Sequence, residues 1–322
     1  MSKFMVILAA ALVVSVGVGA YLLLDNNDNR PGDVGDIIVT DNRGVEVTFT
    51  ESPKRVMSLG SSFTDTLVTL GCIDQVFAVD QSSITRLSGA EYAGLSDKQR
   101  LTSGAPSTST AEYALLYGID CVIVWNFPSY SDGIKALEDA GVKVLALYPT
   151  DVGSVKEVIR VIGTVMGKSD VASALIEDID RTIDDITELA KAKAGGAYGD
   201  YKRVYVELDT ATRTSPGSGT ITGSMLDLLG VNYIRKGTTG SANYGNEAIN
   251  VFNPDIIVFM GPIASGYDVL RSGTINTSGV VVDIYDNTTG EGFNGNWASA
   301  TPSFIKGLVY LYELIYGEPY EP

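Results

Sequence analysis

The chain contains the same helix-then-strand pattern twice, and this repetition constrains the fold more than any single motif does. Residues 111–125 read AEYALLYGIDCVIVW, and residues 246–260 read NEAINVFNPDIIVFM. In each copy a glutamate, Glu112 or Glu247, opens a predicted short helix. An aspartate follows at the same spacing, and an apolar run that is typical of a buried parallel strand comes directly after it. Two similar α/β lobes are therefore predicted.

Strands and helices alternate along both lobes, which favours an α/β fold with parallel sheets. The first lobe opens with a predicted hairpin, whose strands 36–40 and 45–49 flank the turn Asp-Asn-Arg-Gly. Further strands are predicted at 55–59, 75–79, 121–125 and 142–147 in the first lobe, and at 203–208, 256–260 and 280–284 in the second. One helix is predicted to end at Leu70, and further helices are predicted over residues 131–140, 222–229 and 302–316.

A long helix is predicted in the middle of the chain. Apolar residues recur at helical spacing over 154–166, and a second helix starts at its predicted cap Ser169 and continues to Lys193. A helix of about 25 residues is nearly 40 Å long, at about 1.5 Å per residue, so it is long enough to connect two lobes. The predicted division is a membrane-targeting segment 1–24, a polar linker 25–36, a lobe 37–150, connecting helices 151–196 and a lobe 197–322.

Composition excludes several classes of function. The 322 residues carry a formal net charge of −16, which argues against a nucleic-acid partner because phosphate binding needs clustered Lys and Arg. Histidine is absent, so no Ser-His-Asp or Cys-His catalytic arrangement and no imidazole metal site can form. The chain also lacks a Walker motif and a Gly-x-Ser-x-Gly motif. We therefore do not expect an enzyme.

The N-terminus indicates an extracytoplasmic location. Phe4 to Leu24 is uncharged and mostly aliphatic, which is long enough to span a membrane once. The sequence favours an uncleaved anchor on the outer face of the cell membrane. Secretion after cleavage near Ala20 is the alternative, because signal peptides have a small-residue cleavage site. No cysteine lies near this segment to carry a lipid.

Cys72 lies just before one predicted strand and Cys121 lies at the beginning of another, so both are expected at the same end of a parallel sheet. A disulfide between them is geometrically feasible and would persist outside the cell. Two buried free thiols are the alternative, and the sequence does not decide between them.

The order and spacing of several short segments resemble a known family. These segments are Pro53–Leu59, Thr64-Asp65 through Leu70-Gly71, Gly141–Leu145, Leu228–Asn232 and Ala300–Pro302. Over roughly residues 36 to 318 the chain resembles the substrate-binding proteins of ABC importers for iron chelates and cobalamin. The resemblance implies two α/β lobes joined by a single long backbone helix, with a ligand cleft between the lobes. It also implies an iron-siderophore, cobalamin or related metal chelate as ligand, no further cofactor, and an ABC permease with its ATPase as partner.

The resemblance gives the repeated glutamates a role. In this family an acidic residue on each lobe docks onto arginines of the permease, and Glu112 and Glu247 match those positions. A simpler interpretation is that each carboxylate stabilises the N-terminus of its own helix.

Ligands of open α/β sheets bind beyond the carboxyl ends of the strands, which nominates loop residues in both lobes. Trp125 ends a strand, and the resemblance places an aromatic ligand contact there. Trp and Tyr faces suit a large planar chelate or corrin, and Arg213 could pair with a ligand carboxylate. The predicted ligand contacts are Ser61, Ser62, Phe63, Pro106, Trp125, Asn126, Arg213, Thr214, Tyr244, Gly261 and Trp297.

A membrane-anchored ligand sensor or surface protein with the same fold is the alternative function. Direct binding of a bare zinc or manganese ion is not expected, because the usual histidine ligands are missing.

Overall fold

A computed structural model describes residues 36–87, 89–208, 212–260, 280–283 and 295–321. The described chain divides into two compact units. The N-terminal unit contains the residues up to Pro149 together with Gly153–Asp178, and the C-terminal unit contains Thr150–Val152 and the residues from Ile179 onwards. The predicted membrane-targeting segment and linker, residues 1–35, lie outside the described residues. Within the described ranges, no helix combines the length and hydropathy that a membrane crossing requires.

The N-terminal unit is built on a five-stranded parallel sheet with the strand order β5-β4-β3-β6-β7. Its strands are β3 (Val56–Leu59), β4 (Val76–Asp80), β5 (Gln99–Leu101), β6 (Cys121–Trp125) and β7 (Lys143–Leu147). An antiparallel hairpin of β1 (Ile37–Thr40) and β2 (Glu46–Phe49) precedes the sheet, as predicted. The helices are α1 (Ser61–Thr69), α2 (Gln81–Arg86), α3 (Thr108–Leu116), α4 (Ser131–Asp139) and α5 (Val152–Val165).

The strand order of this sheet reverses between β3 and β6. From β3 the chain moves outwards through β4 to β5, and it then returns to β6 on the other side of β3 before reaching β7. Strands β3 and β6 pair in register from Val56↔Cys121 to Leu59↔Val124. Because ligands of open α/β sheets bind at such a reversal, this carboxyl edge is where a site is expected.

The C-terminal unit contains a second parallel sheet, with the strand order β10-β8-β12-β13. Its strands are β8 (Arg203–Glu207), β10 (Asn232–Tyr233), β12 (Ile256–Phe259) and β13 (Val280–Asp283). A short antiparallel ribbon consists of β9 (Thr214–Ser215) and β11 (Ala242–Asn243). The helices after α5 are α6 (Ser169–Ala194), α7 (Ile221–Leu228), α8 (Asn246–Phe252) and α9 (Phe304–Tyr316). The prediction of an α/β fold with parallel sheets is therefore confirmed.

The repeated sequence pattern corresponds to equivalent structure in the two units. The backbone N–H of Arg55 donates to the Asp120 carboxylate at 2.8 Å, and the backbone N–H of Arg203 donates to the Asp255 carboxylate at 2.8 Å. Each aspartate N–H in turn donates to the carbonyl of the same arginine. The strand pairs that follow begin with Val56↔Cys121 and Val204↔Ile256. Both repeated aspartates therefore fix the start of the central strand pair of their sheet.

The long central helix α6 has 26 residues and begins at Ser169 as predicted. Its first residues, to Asp178, belong to the N-terminal unit, and the residues from Ile179 belong to the C-terminal unit. Helix α5 packs closely against its first part, because a Cβ added at Gly163 would overlap the Cβ of Ala172.

Helix α3 starts earlier than the sequence pattern predicts. It begins at Thr108, where the Ser107 and Thr110 side chains form a reciprocal capping box. Glu112 therefore lies inside the helix, and the prediction that it opens the helix is wrong. Glu247 does lie in the first turn of α8. Stabilisation of a helix N-terminus is thus available to Glu247 but not to Glu112, because the effect is confined to the first turn.

Both cysteines are buried free thiols, so the structure corresponds to the second of the two alternatives left by the sequence. Burial raises the pKa of Cys72 to about 11. Burial also raises the pKa of Cys121, and the adjacent Asp120 charge adds to this. Neither thiol is activated for chemistry, because the reactive form is the thiolate.

Candidate functional site

The turn after β3 touches the end of β6 at the reversal point of the N-terminal sheet. Gly60 connects β3 to α1 with a φ of 151°, which favours glycine. A Cβ at this position would lie 2.5 Å from Nε1 of Trp125 and 3.1 Å from the Phe63 ring. Only glycine therefore allows the indole to lie against this turn.

An aromatic cluster surrounds this indole and consists of Phe63, Trp125, Phe127, Tyr130 and Tyr148. The Trp125 ring lies 5.1 Å from Phe63 and stacks on Phe127 at 5.3 Å with an interplanar angle of 8°. Tyr148 meets Trp125 and Phe127 edge-on, at 6.2 and 5.7 Å, and Tyr130 meets Phe127 edge-on at 5.1 Å. These spacings are those of favourable aromatic pairs, so the rings support one another.

The aromatic cluster runs from the core to the surface of the N-terminal unit. Phe63 is fully buried, Trp125, Phe127 and Tyr130 are partly buried, and Tyr148 is 45% exposed. Trp125 lies near Tyr148 because Trp125 of β6 pairs with Leu147 of β7, and Tyr148 is the next residue after Leu147. The cluster therefore places partly exposed aromatic side chains at the carboxyl edge of the sheet.

The predicted serines at this edge are part of the helix start. Ser61 and Ser62 are buried in the first turn of α1. Below them a chain of buried hydroxyls links Ser58 to Thr64 at 2.8 Å and Thr64 to Ser83 at 2.9 Å. Because these hydroxyls bond to one another, they hold α1 on β3 and are satisfied within the protein.

Two other predicted contacts in this unit are engaged in structure. Asn126 donates its backbone N–H to the Leu147 carbonyl at 2.9 Å and its side-chain amide to the Asn42 carbonyl at 3.2 Å, which ties the end of β6 to the hairpin turn. Pro106 is buried, and its carbonyl lies so close to Gly133 that a Cβ there would overlap it. The structure thus brings Phe63 and Trp125 into contact, while Pro106 packs against α4.

In the C-terminal unit, three predicted residues meet beyond the end of β8. The Tyr244 N–H donates to the Arg213 carbonyl at 3.2 Å, and Thr214 Oγ1 donates to Asn243 at 2.9 Å. The Leu208 N–H donates to the Thr214 carbonyl at 2.8 Å, which attaches this ribbon to the end of β8. Arg213 has a φ of 54°, an uncommon conformation for a residue with a side chain.

The remaining two predicted contacts are Trp297 and Gly261. Trp297 packs against Tyr310 of α9 at 6.2 Å, and its backbone lies against Gly307. Gly261 lies outside the described residues.

The sequence interpretation missed several residues at these two strand edges. Phe127, Tyr130 and Tyr148 were not predicted, although each follows β6 or β7 closely in the sequence. Glu207 ends β8, is fully buried and accepts a hydrogen bond from the Tyr205 hydroxyl at 3.0 Å. The sequence signal that could have identified Glu207 is the presence of a charged residue at the end of an apolar strand.

The repeated glutamates lie on the surface. Glu112 and Glu247 are both exposed, and neither takes part in an ion pair with another residue of the described chain. Within the described parts of the chain, no group of three or more His, Cys, Asp or Glu side chains is placed so that it could hold a metal ion.

Comparison with known proteins gives a family match. A family profile described as "Periplasmic binding protein" matches residues 56–279, which is more than half of the chain. An "uncharacterized ABC transporter substrate-binding lipoprotein", YvrC of Bacillus subtilis, is 25% identical over 329 aligned positions that cover 98% of this chain and 96% of that protein.

Solved structures with the same fold are also found. The molybdate-bound periplasmic binding protein MolA of Haemophilus influenzae has a TM-score of 0.66 and 19% identity, and the match covers 87% of this chain and 91% of that one. A protein described as an "ABC-type Fe3+-hydroxamate transport system" from Saccharomonospora viridis has a TM-score of 0.60 and 17% identity, with 87% and 99% covered. At these identities the likeness concerns the fold.

Proposed function

The chain belongs to the periplasmic binding protein family, and from this premise we propose that it is the extracytoplasmic substrate-binding protein of an ABC importer. The Bacillus subtilis relative, which is named as such a protein, supports this because it aligns over nearly the whole length of both chains. In this proposal the protein is not an enzyme: it captures a small molecule and delivers it to a permease that works with an ATPase.

The proposed ligand is a metal–organic chelate such as an iron siderophore or cobalamin. The observation that carries this proposal is the aromatic cluster at the carboxyl edge of the N-terminal sheet, where the side chains of Trp125, Phe127 and Tyr148 are partly exposed. Ring faces bind large planar ligands through dispersion and stacking, with orientation provided by a few polar groups. One solved structure of the same fold is described as part of a ferric hydroxamate transport system.

The proposal also assigns roles to residues of the C-terminal unit, to the two repeated glutamates and to the N-terminal segment. Arg213, Thr214 and Tyr244, which meet beyond β8, are proposed as further ligand contacts, with the Arg213 guanidinium facing an acidic group of the ligand. The exposed carboxylates of Glu112 and Glu247 are proposed to dock onto cationic residues of the permease. The apolar segment Phe4–Leu24 is proposed to anchor the protein to the outer face of the membrane.

Calorimetric titration of the full-length chain in detergent tests the ligand class. The ligands are cobalamin, a ferric hydroxamate, haem and, as a plain oxyanion, molybdate. We expect tight binding of one chelate and weak binding of the others. Tight binding of molybdate alone would contradict the proposal that the ligand is a metal–organic chelate. If none of the four ligands binds, the alternative function as a membrane-anchored sensor or surface protein would be favoured.

A Trp125→Ala variant tests the site in the same titration. Loss of one stacked ring should weaken binding of the chelate by about tenfold, since an aromatic contact contributes roughly 1 kcal/mol or more. Tyr201→Ala is the control, because Tyr201 stacks on Tyr316 at 4.9 Å before the start of β8, whereas the proposed contacts of this unit lie beyond the end of β8. Unchanged affinity of the Trp125→Ala variant would remove the aromatic cluster from the proposed site.

A further inference from the structure

A large aliphatic side chain is exposed four positions after each repeated glutamate. Leu116 follows Glu112 on α3 and is 76% exposed, and Val251 follows Glu247 on α8 and is 81% exposed. No other large apolar side chain in the described chain reaches these values.

These two residues occupy equivalent positions in their units. Two residues before them, Ala114 and Ile249 are both fully buried. Two residues after them, Gly118 and Asn253 both have positive φ values, of 60° and 49°, at the C-terminal ends of the two helices. The repeated aspartates then fix both following strands in the same register, as described above. The equivalence therefore comes from the backbone and holds although the side chains differ.

Each aliphatic side chain lies beside its glutamate. Residues four apart on a helix share one face, with Cβ atoms about 5–6 Å apart. Glu112 with Leu116, and Glu247 with Val251, thus form two pairs that each combine an exposed carboxylate with an exposed aliphatic group. We call them the acidic–aliphatic pairs.

A single exposed leucine needs no explanation, because folded proteins expose many apolar atoms. The occurrence of the same pair at equivalent positions of two units does need an explanation. It would suit a partner that presents two copies of one binding surface. A partner made of two symmetry-related subunits does so. The carboxylates require a cation on each of those subunits, and the aliphatic groups require an apolar surface next to it.

We propose, on the basis of the function proposed above, that Leu116 and Val251 are permease contacts. Each would insert into an apolar pocket beside the cation that receives Glu112 or Glu247, one pair on each half of a two-fold related permease. The carboxylates would then provide attraction and orientation, and the aliphatic groups would provide a desolvated contact that salt does not screen.

Two nearly isosteric substitutions, Leu116→Gln and Val251→Thr, test this in the full-length chain. Docking is measured by surface plasmon resonance on the cognate permease and ATPase, held together in lipid nanodiscs, without added ligand. The matched control is Leu189→Gln with Val45→Thr, since these residues are 39% and 42% exposed and lie outside the pairs. The Glu112→Lys, Glu247→Lys variant is measured in parallel.

We expect the Leu116→Gln, Val251→Thr chain to dock at least about tenfold more weakly than the wild-type chain, and the control chain to dock within about twofold of it. Raising the NaCl concentration should weaken docking of both the wild type and the Leu116→Gln, Val251→Thr chain, leaving the ratio between them unchanged. Each single substitution should show part of the loss.

The outcomes separate this inference from the proposed function. If the wild type docks and the lysine variant does not, while the Leu116→Gln, Val251→Thr chain docks as the wild type does, the aliphatic contact is overturned and the importer function stands. If the wild-type chain does not dock at all, the permease partner itself is contradicted. A loss that disappears at high salt would also overturn the apolar pocket.

Discussion

The acidic residues of the repeated pattern divide into two kinds with different surroundings. Asp120 and Asp255 accept backbone N–H groups at the start of a neighbouring strand, and Asp255 also receives the Arg203 guanidinium at 2.8 Å. Glu112 and Glu247 are exposed and take part in no ion pair with the rest of the described chain. Because the aspartates are used by the fold, only the glutamates are available to a partner.

Substitution of Asp255 by Asn should lower stability at neutral pH and have no effect in acid. The hydrogen bond from Arg203 lowers the pKa of Asp255, so the ionised form is favoured in the folded state. This contribution is present above the ordinary Asp pKa of about 4 and is lost as the pH falls through the lowered value. Urea unfolding at pH 7 should show a slightly lower midpoint for the variant, and the two curves should converge as the pH falls through the lowered pKa of Asp255.

The effect should be small because both side chains of the pair are partly exposed. Asp139→Asn is the control, since Asp139 belongs to an exposed pair with Lys135 within one helix. Equal midpoints of wild type and Asp255→Asn at pH 7 would contradict the role of the ion pair.

At the scale of elements, the sequence predicted what long apolar patterns determine. Strand β6 was predicted at its observed bounds and α6 to within a residue at each end, because an apolar run and a sustained helical period are strong signals. The start of α3 was missed, because its first turn is a polar Thr-Ser-Thr run that carries no apolar period and its start is set by the Ser107 cap. Strands as short as β9 and β11 carry no period at all.

The candidate site was harder to predict than the elements. Trp125 was recognised because it ends a strand, but Tyr148 joins it only through the pairing of β6 with β7. Spatial neighbours that depend on strand order are not visible in a local sequence window. Trp297 was grouped with Trp125 by residue type; it packs against Tyr310, and its contact with a ligand stays a prediction.

Helix α5 packs on α6 through a contact that tolerates no added carbon atom at Gly163. Alanine normally stabilises a helix relative to glycine by about 1 kcal/mol. Here the added Cβ would overlap the Ala172 Cβ, so we expect Gly163→Ala to destabilise the protein by about 1–3 kcal/mol instead. Chemical unfolding monitored by circular dichroism measures this.

The exchange variant Gly163→Ala, Ala172→Gly is the control, because it restores the missing space. This double variant should recover part of the lost stability. The recovery should be incomplete because the new glycine destabilises α6. A Gly163→Ala chain more stable than wild type would mean that the two helices move apart without cost.

At the scale of the whole molecule, two units built on one pattern each carry one acidic–aliphatic pair. The chain has a formal charge of −16, so attraction to a cationic surface of a permease is expected from the charge as a whole as well as from the two pairs. Specific docking therefore has to be distinguished from general attraction.

Charge reversal at Glu112 and Glu247 makes this distinction. Uptake of the bound chelate should be abolished in the Glu112→Lys, Glu247→Lys variant, while calorimetric affinity for the chelate stays unchanged, since the glutamates lie on exposed helix faces. Uptake is measured in proteoliposomes that contain the permease and ATPase. Glu177→Lys with Glu188→Lys alters the net charge equally on exposed positions of α6 and should transport normally. Equal uptake by both variants would contradict specific docking.

The close approach of Gly60 to the indole of Trp125 has a practical consequence for measurement. The chain contains two tryptophans, so replacing Trp297 by Phe leaves a single indole, held against a glycine turn and between the rings of Phe63 and Phe127. Its ultraviolet emission would report on the carboxyl edge of this sheet alone. Coloured metal chelates absorb where indole emits, so a bound chelate would quench it by energy transfer. The protein thus contains its own optical reporter for cargo, with no dye attached.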